Sequence, residues 1–173
     1  MIIVLIGYMA SGKSTIGKKL AKKINFEFLD LDDFIEDKEL KTVTEIFRDK
    51  GEIYFRKQET FYLKQILETK ENIVLSLGGG TPCYANNMDI IKNSNKAHSV
   101  YLKASLEKLV KKLYKKKAKR PLIAHIESKE AMTEFVGKHL FERSQFYNLA
   151  DYVITTDEKS KKKIVKKIIQ NLF

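Results

Sequence analysis

The run Gly7-Tyr8-Met9-Ala10-Ser11-Gly12-Lys13-Ser14-Thr15 carries the phosphate-loop pattern GxxxxGK[ST] without a gap. It follows a β-branched apolar run, Ile2-Ile3-Val4-Leu5-Ile6, and precedes a stretch with helical spacing from Ile16 to Ile24. Strand, glycine loop and helix in that order are the context the motif requires. The backbone N–H groups of such a loop form an anion nest at a helix N-terminus. Ala10, Ser11, Gly12, Lys13, Ser14 and Thr15 are therefore candidates for holding a nucleoside triphosphate. Lys13 would reach the β/γ-phosphates, and the Ser14 hydroxyl would face Mg²⁺. The loop specifies the phosphate donor and leaves the acceptor open.

Phosphoryl transfer also needs cations on the migrating charge and a held acceptor. Asp30 and Asp32 follow a short β-like run, Phe26-Glu27-Phe28-Leu29. On a strand they would share a face and could serve Mg²⁺, through water, and an acceptor hydroxyl. Equally, they could cap the helix that follows, with Asp33 and Glu36 in its first turns. Arg56 precedes Glu59 by one helical turn, which fits either an ordinary surface ion pair or a guanidinium steadied to grip a carboxylate. Gly78-Gly79-Gly80 ends a buried strand. Three glycines there favour a close approach of backbone to ligand, with a strained turn as the other use. Arg120, in Arg120-Pro121-Leu122, either stabilises charge on the transferring group or belongs to a basic tract. Only four of the 33 basic residues are arginine: Arg48, Arg56, Arg120 and Arg143. Keeping arginine in a lysine-rich chain hints at bidentate geometry.

The elements that must position these groups alternate in type. Strands are expected at 2–6, 26–30, 73–77, 98–102 and 152–155, and helices at 16–24, 52–68, 84–95, 105–117, 130–149 and 160–172. Thr42-Val43-Thr44-Glu45 is a capping box that opens a further helix, which Gly51 interrupts. Phe55, Glu59, Tyr62 and Ile66 share one face of the helix after it. In the closing helix Ile164, Val165, Ile168, Ile169 and Leu172 should face inward. Alternation of this kind gives an α/β fold with a parallel sheet covered on both faces. Ligands then bind beyond the carboxyl ends of the strands, here at 7–15, 30–36, 78–82 and near Thr156. Residues 115–130 are the least regular and are the candidate lid.

At 173 residues the chain suits one domain with a substantial core. Cys83 is the one cysteine, so no intrachain disulfide can form, as in a reducing compartment. It reads as a packed thiol, since phosphoryl transfer needs no thiolate. His98, His125 and His139 lack metal-ligand spacing, so no zinc site is expected. No apolar run approaches the ~20 residues of a membrane span. The first apolar run ends in the phosphate loop and is no cleaved signal, so a cytoplasmic location is expected. The net charge of +11 concentrates in 111–120 and 159–167. Without a nucleic-acid module, it reads as attraction for an anionic nucleotide and substrate.

Taken together, the chain resembles the shikimate kinases. The matching blocks run in order: the loop Gly7–Thr15; Phe28-Leu29-Asp30-Leu31-Asp32 with Ile35-Glu36; Thr42-x-Thr44-Glu45-Ile46-Phe47; Gly51-Glu52-x-x-Phe55-Arg56-x-x-Glu59. They continue with Leu75-Ser76-Leu77-Gly78-Gly79-Gly80, Arg120-Pro121-Leu122 and Arg143-x-x-x-Tyr147. The resemblance implies transfer of the ATP γ-phosphate to the 3-hydroxyl of shikimate, on the way to chorismate and the aromatic amino acids. It also implies a three-layer α/β/α fold like that of the nucleoside monophosphate kinases, with a five-stranded parallel sheet of order 2-3-1-4-5. The substrate region would span about 31–60, and the protein would act as a monomer without nucleic acid or membrane.

By position, the resemblance places Lys13 on phosphate, with Ser14 and, through water, Asp30 on Mg²⁺. Asp32 would bind the substrate hydroxyls and serve as the candidate base. Arg56, oriented by Glu59, and Arg143 would hold the carboxylate, and Gly78, Gly79 and Gly80 would line that site. Arg120 would close over the phosphates from the lid. Two departures stand out: Ala10 where the family usually has Gly, and Leu113 where it often has an arginine near adenine. The rival readings are a gluconate or other small-molecule kinase of this fold, and a nucleotide-dependent nucleic-acid-binding protein.

Overall fold

Ile2-Ile3-Val4-Leu5-Ile6 form strand β1 (Ile2–Ile6), and each of these residues is 0% exposed. A run buried on both sides belongs at the centre of a covered parallel sheet. The computed structural model describes residues 1–115, 117, 121–157 and 159–173. The other strands are β2 (Glu27–Asp30), β3 (Ile73–Ser76), β4 (Ala97–Lys103) and β5 (Tyr152–Thr155). All pairings are parallel, in the order β2-β3-β1-β4-β5. Ile2 lies between Ile73 and Ala97, so β1 is hydrogen-bonded along both edges.

Successive strand residues point to opposite faces, and the core divides accordingly. Ile3 and Leu5 of β1 join Val74, Val100 and Leu102 under α1 (Lys13–Ile24) and α8 (Lys161–Leu172). Ile16 and Leu20 come from the first of these helices, and Ile164, Val165 and Ile168 from the second; Ile169 and Leu172 are only partly buried. Ile2, Val4 and Ile6 face the larger core, with Leu75 and Tyr101. That face is covered by α2 (Leu31–Glu39), α3 (Val43–Thr69), α4 (Asn87–Lys92), α5 (Leu106–Lys115) and α7 (Lys129–Tyr147). A short α6 (Pro121–Ala124) precedes the last of these. Ile123 and Ile126 are buried in the same core, which anchors part of the 115–130 stretch.

Local chemistry explains the boundaries. Thr42 and Glu45 form the expected reciprocal cap at the start of α3, with Glu45 N–H donating to Thr42 Oγ1 at 3.2 Å and Thr42 N–H to Glu45 Oε2 at 2.8 Å. Glu36 of α2 also accepts from Val43 N–H at 2.7 Å, tying the two helices together. Gly51 breaks the helix internally, with φ 80° and ψ 173°. Beyond it, Phe55, Glu59, Tyr62 and Ile66 are all buried, as their spacing requires.

One alternative is decided and one expectation is corrected. β2 ends at Asp30, which caps α2 by accepting from Asp32 N–H at 3.2 Å. The capping alternative is the one met: Asp32 is helical and shares no strand face with Asp30. The helix expected over 84–95 spans only Asn87–Lys92. Ala85 is left-handed at φ 50°, and a tight 3-10 turn occupies Thr81–Cys83, so helix cannot start earlier.

Gly51 adopts a conformation that is essentially glycine-only, and a Cβ there would meet nothing within 4 Å. Gly51→Ala should thus cost backbone strain alone, about 1–3 kcal/mol. The check is the urea midpoint: an unchanged midpoint would mean the kink can straighten at no cost.

Candidate active site

The carboxyl ends of β1, β2 and β3 open into one cavity of about 640 Å³. Residues Met9 to Ile16 wrap one side of it, and Asp30, Asp32, Ser76, Leu77, Gly78 and Gly79 line another. Gly7, Ala10 and Gly12 take φ of 147°, 64° and 111°, which turns the chain from strand into helix within a few residues. A Cβ on Gly7 would come within 2.9 Å of the Leu102 carbonyl oxygen, so only glycine fits where the loop leaves the sheet. Ala10 bears the left-handed conformation with a side chain, the physical content of its departure from the family pattern. Lys13 is 8% exposed and donates to the carbonyls of Gly7 at 2.7 Å and Tyr8 at 3.1 Å, on the cavity wall.

Ser14 and Asp30 meet across the loop, the hydroxyl donating to Oδ2 at 3.1 Å. Among the described residues no group of three or more His, Cys, Asp or Glu could hold a metal ion. Mg²⁺ needs no such group, because it binds through one or two protein oxygens, water and substrate phosphates. A hydroxyl and a carboxylate beside a phosphate loop fit that chemistry.

Asp32 reaches the cavity from the first turn of α2. Its Oδ1 is buried and has no hydrogen-bond partner among the described residues. Burial, then the neighbouring carboxylates Asp30 and Glu59, push its pKa up to about 7 against the pull of Lys13. A buried acceptor of this kind, at the end of a phosphate-loop cavity, suits a substrate hydroxyl.

Glu59 is 1% exposed. Arg56 Nη1 donates to its Oε2 at 2.6 Å, and the Thr81 hydroxyl donates to Oε1. The Arg56 guanidinium also reaches Glu52 at 3.2 Å and lies 4.0 Å from the Tyr84 ring centroid. Arg56 is thus more than a surface ion pair, because it is held on three sides. Of the three consecutive glycines, none has a left-handed φ, so the strained-turn alternative is not met. Gly80 instead makes room for Arg56, whose Nη1 would lie 2.8 Å from an added Cβ. Gly78 faces Asp32 and Glu59, and Gly79 lies between Met9 and Arg143. The Tyr147 hydroxyl donates to the Gly79 carbonyl and fixes the glycine run from α7. Arg143 lies 5.6 Å from the Tyr8 ring centroid.

The residues picked from the sequence fall into groups. Ala10, Ser11, Gly12, Lys13, Ser14, Thr15, Asp30, Asp32, Gly78 and Gly79 line the one cavity together. Arg56 lines a second groove with Glu52 and Tyr84, which shares no lining residue with that cavity, while Gly80 packs on Arg56 and Arg143 sits beside Gly79. Arg120 lies outside the described residues. Lys112, Lys159 and Lys161, from the two basic tracts, line the same cavity with Thr156, and so does Lys108, which sequence reasoning missed. Leu113, in the place of a family arginine, is fully buried with Leu109 and Val110, which turns Lys108 and Lys112 to the cavity. Lys112 donates to the Ala10 carbonyl at 3.1 Å. Thr81 and Tyr84 also carried no local signal, because their partners are distant in sequence; Glu52 lies one helical turn before Arg56, a spacing that was legible. Burial pushes the Cys83 thiol up to about 11, in keeping with an unreactive packed group.

A family model described as shikimate kinase matches residues 9–173. The chain is 48% identical over 171 residues to the shikimate kinase of Flavobacterium psychrophilum, covering 99% of this chain and 98% of that protein. It is 46% identical over 170 residues to that of Flavobacterium johnsoniae, covering 98% of each. Among solved structures, shikimate kinase from Bacteroides thetaiotaomicron superposes with a TM-score of 0.90 at 34% identity, covering 99% of this chain and 98% of that one. Shikimate kinase from Acinetobacter baumannii in complex with shikimate gives 0.84 at 33% identity, covering 99% and 92%.

The pKa of Asp32 carries a stability consequence. The unfolded chain releases this proton near the ordinary 3.8, the folded protein near 7. The folded state is therefore penalised progressively as pH rises from about 4 to about 7. Asp32→Asn removes the penalty, so it should gain on the wild type by up to ~4 kcal/mol at pH 8 and much less at pH 5. Urea unfolding with EDTA at the two pH values checks this; an equal gain at both would remove burial as the cause.

Proposed function

We infer, from a chain that belongs to the shikimate kinase family and from the cavity just described, that the protein transfers the γ-phosphoryl group of ATP to the 3-hydroxyl of shikimate. The observation that carries this reading is Asp32, which lines the same cavity as the phosphate loop and whose buried Oδ1 has no partner among the described residues. The loop N–H groups and Lys13 hold the β- and γ-phosphates. Ser14 and Asp30 would hold Mg²⁺, which when bound neutralises charge on the phosphates. Asp32 accepts the hydrogen bond of the attacking hydroxyl and aims it in line. A loose transition state asks more for position than for base strength.

Shikimate also carries a carboxylate, and the pinned guanidinium of Arg56 and that of Arg143 are assigned to it, with Gly79 and Gly80 beside them. Arg120 is assigned the charge of the transferring group on the resemblance alone. In this reading 31–60 form the substrate region and 115–130 the lid. The lysines at 108, 112, 159 and 161 account for part of the basic charge through the nucleotide, without nucleic acid. No helix among the described residues is long and apolar enough to cross a membrane, and the protein is proposed to act as a cytoplasmic monomer.

ATP consumption coupled to added shikimate, with gluconate and nucleoside monophosphates as controls, should show turnover with shikimate alone. Folded protein that consumes no ATP with shikimate would sink the reading. Arg56→Lys keeps the charge and loses the fork. It should raise KM for shikimate about 10- to 100-fold, with ATP affinity unchanged. Near-normal KM for shikimate would remove Arg56 from the carboxylate site.

A further inference from the structure

The Glu59 carboxylate has two oxygens and two committed partners. Oε2 receives Arg56 at 2.6 Å, and Oε1 receives the Thr81 hydroxyl. Thr81 is 0% exposed and begins the turn that leaves the glycine run. Its own backbone is pinned twice: its N–H donates to the Gly78 carbonyl at 3.2 Å, and its carbonyl accepts from Asn87 Nδ2 at 2.8 Å. Asn87 is likewise 0% exposed.

An ionised carboxylate only accepts, so the Thr81 proton points at Glu59 and fixes which oxygen is left for Arg56. Without that hydroxyl, a buried carboxylate oxygen would lose its partner. The side chain could then rotate or draw Arg56 toward both oxygens. Gly80, packed against the guanidinium, gives Arg56 little room to follow without moving the glycine run.

We propose that Thr81 is a positioning residue for substrate recognition, holding Glu59 so that Arg56 presents its guanidinium to the substrate carboxylate. This rests on the reading of Arg56 given above. The chain of contacts runs Asn87, Thr81, Glu59, Arg56, and it fastens the carboxylate grip to the loop after β3 rather than to α3 alone. A threonine that served packing only would be replaceable by valine, which has nearly the same shape.

The test is steady-state kinetics on Thr81→Val, Thr81→Ser and Glu59→Gln, alone and with Thr81→Val combined with Glu59→Gln. Thr81→Val should raise KM for shikimate about tenfold, with KM for ATP within about twofold of wild type. Thr81→Ser, which restores the hydroxyl, should return KM for shikimate to near wild type. In the Glu59→Gln background, Thr81→Val should add little, because the hydroxyl acts through Glu59. The proposal is overturned if Thr81→Val leaves KM for shikimate unchanged, if Thr81→Ser fails as badly as valine, or if the two changes multiply. Should Thr81→Val not fold, Thr81→Ser and Thr81→Ala carry the same comparison, and an alanine variant with normal KM for shikimate overturns it equally. If Arg56→Lys raises KM for shikimate while Thr81→Val does not, only this proposal fails; if both leave it unchanged, the assignment of Arg56 fails with it.

Discussion

A parallel sheet buried on both faces can meet a ligand only beyond the carboxyl ends of its strands. The rest of this molecule follows from that constraint. β1 contributes no exposed residue, so its one functional act is to deliver the phosphate loop at its end. β2 delivers Asp30 as a helix cap, and β3 delivers the glycine run. The three outputs converge because β2, β3 and β1 are adjacent in the sheet. Crossover helices on both faces keep the strands parallel and their ends aligned.

The second constraint is buried charge. Two carboxylates, Asp32 and Glu59, crowd Gly78, where an added Cβ would lie 3.0 Å from Asp32 Oδ1 and 3.2 Å from Glu59 Oε1. They are treated differently. Glu59 has a guanidinium and a hydroxyl, and removing one partner of such a buried pair typically costs 3–5 kcal/mol. Asp32 has no partner for Oδ1 among the described residues, and burial, with the carboxylates of Asp30 and Glu59 nearby, raises its pKa. One carboxylate is thus held by two side chains, while the other keeps a buried oxygen without a partner among the described residues, a division set by which neighbours each one faces.

The lysines take a third role. The amphipathic α5 buries Leu109, Val110 and Leu113 and turns Lys108 and Lys112 toward the loop. Lys108 donates to the Thr156 carbonyl and lies 3.9 Å from Asp157, which ties the fifth strand's end to the same wall. The basic surface near the phosphate loop is therefore organised by helix periodicity.

Much of this was legible in the chain. The apolar run before Gly7, the capping box at Thr42 and Glu45, and the break at Gly51 all depend on local chemistry, and all stand where spacing put them. The phosphate loop is legible for the same reason, since its function is carried by consecutive backbone groups. The face of Phe55, Glu59, Tyr62 and Ile66 follows from periodicity, but that a carboxylate on it is buried does not. Spacing left Asp30 and Asp32 open between strand neighbours and a helix cap, because where a strand yields to a helix is decided by which caps form, and only the folded chain showed Asp30 accepting from Asp32 N–H. The sequence by itself determined the alternating α/β class and the phosphate loop, because these rest on patterns among residues a few places apart; the strand order 2-3-1-4-5 came with the family resemblance and stands as expected. Only the tertiary structure decided that Thr81 meets Glu59, that Tyr147 meets Gly79, and that Lys112 meets the Ala10 carbonyl. Those contacts join residues 22, 68 and 102 positions apart; they exist only once helices pack on the sheet, and no local pattern encodes them.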